Sequence, residues 1–344
     1  ERVYHTRALT QGEGGMDEQI LEIQEKIKNE SVLLSNLKEE IGHVIIGQHD
    51  MINKIIIGLL SGGHILIEGV PGLAKTLTVS TLAQALDIDF NRIQFTPDML
   101  PADLIGTMVY NQKTGDFLVK KGPIFSSIIL ADEINRAPAK TQSALLQAMQ
   151  EHQVTIGSET FMMDSTFLVI ATQNPIEQHG TYPLPEAQVD RFMMKLEIPY
   201  PSKSEELQIM KIHGSGTKPS VSPVMKKRQL EKLREVVHTI YIDEKIERYI
   251  VDITLATRQP DEYELVDIRD LIAYGASPRA SLYLKIGAKA NAFLDGRGYV
   301  IPDDIRDVGY DILRHRLILT YEAQAEDIST DDVIEKIFKG VEVP

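Results

Sequence analysis

The stretch that most limits the fold runs from His64 to Leu86. The apolar run HILIE is followed by GVPGLAKT, Gly69 to Thr76, and then by a segment of helical character, KTLTVSTLAQAL. That order reads as a buried strand, a turn of small residues and a helix with Val79, Leu82, Ala83 and Leu86 on one face. Such a turn lets backbone N–H groups converge on phosphate oxygens, and the helix N-terminus adds partial positive charge. Gly69, Val70, Pro71, Gly72, Leu73, Ala74, Lys75, Thr76 and Leu77 form the expected cradle. Lys75 would reach the β- and γ-phosphates of ATP, and the Thr76 hydroxyl would hold Mg2+. One residue departs from the pattern. Ala74 stands where a glycine usually precedes the lysine, and it adds a methyl where the backbone hugs the phosphates. The plain alternative is a strand, turn and helix with no ligand.

Around this unit the chain alternates strand and helix. RIQF (92–95), SIILA (127–131), FLVIA (167–171) and FMMKLEI (192–198) are short apolar runs without alternation. Runs of that kind suit strands covered on both faces, hence a parallel sheet in an α/β layer. Two segments break the rhythm. MVYNQKTGDFLVKKG and HQVTIGSETFMM each read as a hairpin inserted into the α/β core. Upstream, apolar residues from Ile20 to Ile41 fall at helical spacing and predict a helix packed on its own body. Residues 1–15 are expected to be a disordered leader, with Met16 a candidate natural start. Beyond Pro201 the periodicity is helical, with Leu230, Leu233, Val237 and Ile240 on one face and no strand-rich stretch. The expected organisation is a leader (1–15), an N-terminal helix (16–43), an α/β core (44–201) and an all-α domain (202–344).

The strand ends carry further candidates. ILADE closes a buried strand with Asp132, which could bind Mg2+, often through water, and Glu133, which could polarise an attacking water. Two solvated acids at a strand end are common in themselves, and the upstream cradle is what gives this pair its meaning. Asn174, in VIATQNP, follows the next buried strand and would stand at the same sheet edge; a turn-forming Asn before Pro175 is the ordinary reading, and both can hold. Arg191 precedes the last strand, too far along the sheet to be an obvious partner of its own cradle. Arg279 follows Ser277, an N-cap type, and Pro278 at a first helical position, so it would project from a helix start in the second domain. Each arginine alone reads as a surface ion pair.

Composition narrows the classes. A hydrophobic content of 43% with 25% charged residues is that of an ordinary globular chain. The absence of cysteine removes disulfides and thiolate metal sites, and fits a reducing compartment such as the cytoplasm. No apolar run has the length of a membrane span. A net charge of −14 weighs against a broad grip on nucleic acid.

Taken together, GVPGLAKT, FTPDMLPADLIG, ILADEINRAPAKTQSALLQAMQE, ATQNP, YPLPEAQVDRF and GASPRA resemble the MoxR family of AAA+ ATPases in order and spacing. Alanine before the lysine is itself usual in that family. The resemblance implies a doubly wound α/β ATPase domain with two hairpin inserts (about 104–121 and 152–163), followed by an all-α lid. It makes Asn174 sensor 1, Arg279 sensor 2 and Arg191 the arginine finger that completes a neighbouring subunit's site. It matches VIIGQ, with Val44, Ile45, Gly47 and Gln48, to the adenine pocket, and makes Gln94 a candidate to coordinate Glu133. Members usually form rings, often hexameric, and are thought to act as chaperones in maturing protein complexes, often with a separate von Willebrand factor A-domain partner. The rival expectation is a nucleic-acid motor of the same broader clade. The acidic balance and hairpins whose only basic residues are Lys113, Lys120 and Lys121 argue against it. A nucleotide-gated scaffold without turnover is a third reading, opposed by the intact Asp132–Glu133 pair.

Overall fold

A computed structural model describes residue 27 and residues 30–70, 72–175, 180–214 and 219–344. The expected leader, most of residues 16–29 and the cradle residue Pro71 lie outside the described residues. The chain divides into two compact units. One holds Asn36–Glu231 with Asp311–Arg316; the other holds the described residues up to Ser35, Lys232–Tyr310 and Leu317–Pro344.

Helix α1 (30–42) belongs to the first unit from Asn36 onward, and α2 (His49–Ser61) follows it. The unit then builds β1 (Ile65–Glu68), α3 (Lys75–Ala85), β2 (Phe90–Gln94) and α4 (Pro101–Ile105). A first hairpin, β3 (Gly106–Tyr110) and β4 (Phe117–Lys121), precedes β5 (Ile128–Asp132) and α5 (Ala139–Glu151). A second, β6 (Gln153–Ile156) and β7 (Glu159–Met162), precedes β8 (Leu168–Gln173). Then come α6 (Glu186–Val189), β9 (Met194–Glu197) and α7 (Lys203–His213). The sheet is five-stranded in the order β2-β5-β8-β1-β9, and every pairing within it is parallel. Its apolar runs are explained by burial on both faces: all of β5 and Leu168–Thr172 of β8 are buried. One core cluster joins Ile129, Val169 and Phe192 with Leu145 and Met149 of α5.

Both hairpins lie outside this sheet as separate antiparallel pairs. The faces of the first are open to solvent, with Val109, Tyr110, Phe117 and Leu118 all exposed. Gly106 lets it leave α4. Its φ is +104°, and a Cβ there would fall 2.3 Å from the Lys120 carbonyl oxygen.

The boundary expected near Pro201 falls inside the first unit, which runs on to Glu231. The cause is packing of α7: its Ser202–Glu205 capping box forms as the residues suggest, and His213 Nε2 lies 3.1 Å from the Val44 carbonyl oxygen. The second unit is mainly helical. After α8 (Lys227–Thr239) come α9 (Glu244–Ala256), α10 (Val266–Arg269), α11 (Pro278–Leu294), α12 (Pro302–Leu313), α13 (Tyr321–Ala325) and α14 (Thr330–Gly340), and Tyr249, Ile253, Leu284, Phe293, Ile334 and Ile337 are buried. This unit also holds a ribbon of β10 (Ile272–Tyr274) and β11 (Ile318–Leu319), which the sequence did not suggest. Strands of two or three residues are too short to leave an alternation.

Gly106→Ala is expected to lower stability by about 1–3 kcal/mol, because it combines positive-φ strain with a clash against main chain. Urea unfolding of the full chain checks this, and an unchanged midpoint would mean that the hairpin base is not held as described.

Candidate functional site

Because the strands are parallel, their carboxyl ends share one edge. Gln94 pairs with Asp132, and Glu68 pairs with both Gln173 and Glu197. The chain crosses to opposite sides of β1 to reach β2 and β9, so a topological switch point lies beside β1, where open α/β sheets bind ligands.

The cradle leaves β1 at this edge. Gly72 has a φ of +90°, and Ala74 caps α3 at φ 55°, ψ 17°. That settles how alanine is accommodated. Its backbone lies in the ordinary left-handed region, which non-glycine residues reach for about 1–2 kcal/mol, and not in the region open to glycine alone. The helix starts at Lys75, whose Nζ folds back to donate to the Gly69 carbonyl at 2.6 Å. Burial pulls its ammonium below the usual lysine range, opposed by the charges of Asp132, Glu133 and Glu68.

Asp132 is buried at the end of β5 and has both oxygens engaged. Thr172 Oγ1, from β8, donates to Oδ1 at 2.6 Å. Arg92, from β2, donates to Oδ2 through Nη2 at 2.6 Å and Nε at 3.0 Å. Glu133 leaves the strand at φ 57°, ψ 52°, and its N–H donates to the Thr172 hydroxyl at 2.9 Å. A left-handed glutamate at a strand end is the kind of backbone strain that collects at functional sites. Its Oε2 accepts from Gln94 Nε2 at 2.7 Å and from Arg136 Nη1 at 3.0 Å, while Gln94 Oε1 accepts from Arg92 at 2.9 Å. The two acids are thus joined through Thr172 on one side and Arg92–Gln94 on the other. Asn174 is buried just past β8.

Two cavities adjoin here. One of about 410 Å3 is lined by Lys75, Thr76, Asp132, Glu133, Thr172 and Asn174, among others. The other, about 230 Å3, is lined by Val44, Ile45, Ile46, Gln48, Leu77, Pro201, Ile209 and His213. They share Gly72, Leu73, Ala74 and Leu77, so the cradle stands between a polar compartment and one walled by aliphatic side chains. That pairing has the outline of a nucleotide: phosphates in the first, base in the second. Among the described residues no three His, Asp or Glu side chains form a metal cage. Thr76 and Asp132 offer hard oxygens of the sort Mg2+ takes singly or in pairs, with phosphate and water completing its shell.

Comparisons with known proteins agree with this geometry. Residues 64–194 match the "ATPase family associated with various cellular activities (AAA)", and residues 267–337 match the "AAA lid domain". The chain is 47% identical over 305 residues to Chaperone MoxR1 of Mycobacterium tuberculosis, covering 89% of this chain and 81% of that protein. The chain belongs to the MoxR family of AAA+ ATPases. It is also 44% identical to the uncharacterized protein YeaC of Bacillus subtilis, over 91% of this chain and 95% of that one. A solved structure of an ATPase candidate from Cytophaga hutchinsonii superposes with a TM-score of 0.86 at 53% identity, covering 96% and 98% of the two chains.

Within this MoxR-family domain the structure gathers Lys75, Thr76, Asp132, Glu133 and Asn174 about one cavity, and Val44, Ile45 and Gln48 about the other. Gly69 and Val70 form the start of the cradle. Gly47 is not on the cavity wall; it lies where a Cβ would meet the Glu205 carboxylate at 2.2 Å. Arg191 is half-buried at the opposite, amino edge of the sheet, where the next residues lead into β9 and Met193 N–H donates to the His64 carbonyl. At about 3.3 Å per residue, four residues of strand separate it from its own carboxyl edge by roughly 13 Å. Arg279 sits in the first turn of α11 in the other unit, after Ser277 and Pro278 as expected.

Sequence reasoning passes over Arg92, Thr172, Arg136, Ile209 and His213. Arg92 carried a signal: it shares a face of β2 with Gln94, two residues on. Thr172 carried none, since only strand pairing sets it beside Asp132. Thr172→Val would keep the shape but leave Asp132 Oδ1 without its hydroxyl donor and the Glu133 N–H without its acceptor. The expected loss is about 1–3 kcal/mol in denaturant unfolding; no loss would mean that water replaces the hydroxyl.

Proposed function

We propose that the chain is a Mg2+-dependent ATPase that works in a ring of like subunits and spends ATP on assembling or maturing a protein partner.

 The observation that carries this reading is the convergence of Lys75, Thr76, Asp132, Glu133 and Asn174 on one cavity at the sheet's carboxyl edge, with a separate aliphatic compartment beside it.

The reaction is ATP plus water to ADP plus phosphate. A water oxygen bonds to the γ-phosphorus, the bond to the β,γ-bridging oxygen breaks, and the water gives up a proton. Lys75 sits where it can neutralise β- and γ-phosphate oxygens, and the N-terminus of α3 adds positive potential. Thr76 and Asp132 would hold Mg2+, Asp132 through water because Thr172 and Arg92 already engage its oxygens. Bound Mg2+ would supply charge neutralisation on the phosphates. Glu133 is assigned the proton from water. Gln94 and Arg136 hold its Oε2 in place. Asn174 would hold the water or the γ-phosphate.

The place of Arg191 at the amino edge supports a role on a neighbouring subunit's phosphates rather than on its own. We assign it as the arginine finger of a ring, hexameric by family resemblance, and Arg279 as the residue through which the lid responds to nucleotide. The chaperone role follows the name of the Mycobacterium tuberculosis relative. A protein partner, by family resemblance a separate von Willebrand factor A-domain chain, would meet the exposed Val109, Tyr110, Phe117 and Leu118 of the first hairpin. Among the described residues no helix is long and apolar enough to cross a membrane, and a cytoplasmic setting is the proposed one.

Glu133→Gln should bind ATP as the parent does while phosphate release falls by about 100-fold or more; undiminished turnover would remove the assignment. Arg191→Ala and Lys75→Ala should each be nearly inactive alone. Mixed together they should recover turnover, because one kind of interface joins an intact Lys75 to an intact Arg191. Failure to recover in rings that demonstrably co-assemble would contradict action across the interface.

A further inference from the structure

Arg316 is the most completely enclosed arginine of the α/β unit. Its side chain is 1% exposed, and it reaches from the segment 311–316 to the short turn that carries Arg191. Its Nε donates to Asp190 Oδ1 at 2.8 Å. Nη2 donates to the main-chain carbonyls of Asp190 at 2.9 Å and Phe192 at 2.6 Å. Nη1 donates to the Met193 carbonyl at 3.1 Å and to the Ile312 carbonyl, and lies 2.8 Å from His315 Nε2. One planar fork therefore grips the backbone immediately before and immediately after Arg191.

A buried charge is expensive unless every donor is used, and a guanidinium kept only for stability is often replaceable by apolar side chains. Here the donors are aimed at carbonyls. α6 ends at Val189 with Asp190 as its C-cap, and the carbonyls that Arg316 takes, those of Asp190, Phe192 and Met193, all lie beyond the helix end. A flexible lysine ammonium could satisfy one or two of them but could not hold two successive peptide groups in a plane. The segment bearing Arg316 is tied down independently, by Lys54 to Asp311 at 3.0 Å and by Arg314 to the Lys195 carbonyl at 3.1 Å.

We propose that Arg316 is a positioning residue that sets the direction in which Arg191 leaves the subunit, and so acts on hydrolysis in the neighbouring subunit's site. This rests on the reading of Arg191 as a trans-acting arginine. Arg316 touches no nucleotide itself; it acts by denying the Asp190–Phe192 turn its other conformations. A displacement of about 1 Å at such a group is worth on the order of 100-fold in rate.

The test compares Arg316→Lys, Arg191→Ala and the double variant in full-length protein, with ATP binding, sedimentation and phosphate release measured for each. Arg316→Lys is expected to assemble and to bind ATP with unchanged affinity, while kcat falls by about 100-fold. Mixing it with Lys75→Ala should restore turnover, since the Lys75→Ala subunit supplies a correctly held Arg191. In the double variant kcat should be no lower than in Arg191→Ala alone, because two residues that act as one step are not additive. An unchanged kcat in Arg316→Lys, a further fall in the double variant, or no recovery in co-assembled mixed rings would each overturn the proposal. Should Arg316→Lys not fold, Asp190→Asn removes the charged half of the clamp and is read by the same three criteria. Full turnover in Arg191→Ala would instead remove the trans-arginine reading on which the proposal stands.

Discussion

Five parallel strands end along one edge, and every strand brings a polar or charged residue there: Glu68, Gln94, Asp132, Gln173 and Glu197. Crowded acids repel one another and would repel an incoming triphosphate. The edge is held together by opposing cations. Lys195 pairs with Glu68, Arg92 with Asp132 and Arg136 with Glu133, while Lys75 folds back onto the cradle. The rest of the site depends on this balance, because it lets Asp132 and Glu133 share a small volume with Lys75.

Local backbone strain adds to that arrangement. Ala74 and Glu133 both adopt left-handed conformations, one opening the helix beneath the cradle and one turning the acid out of its strand. Neither is stable for its own sake. The parallel pairing of β1 and β5 with β8 surrounds both positions and over-determines them, which is the condition under which such strain persists. The Thr172 hydroxyl is part of that enclosure, since it satisfies the Glu133 N–H and holds Asp132 in the same stroke.

The opposite edge of the sheet is built on a different principle. There a single buried guanidinium gathers the carbonyls around Arg191, supplied by a segment far downstream in the chain. The carboxyl edge collects acids and tempers them; the amino edge fixes one turn through main-chain hydrogen bonds. The two edges are joined by strands of only four to six residues.

The amino-acid sequence alone determined the cradle, the acidic strand end, the five apolar strands and the two hairpins. Each depends on residues close together in the chain, where periodicity and turn chemistry act. It also marked Asn174 and the Ser277–Pro278 helix start, because these are fixed by their own neighbours, while Gln94 came only with the family resemblance. Only the tertiary structure decided that Thr172 bridges Asp132 and Glu133, that Arg92 engages the Asp132 carboxylate, and that α7 closes the second cavity with Ile209 and His213. It alone placed Arg316 around the Arg191 turn and kept residues 202–231 with the α/β unit. The reason is the same in each case: strand register and side-chain reach join residues distant in the chain, and no local pattern records which distant strand or helix a side chain will meet.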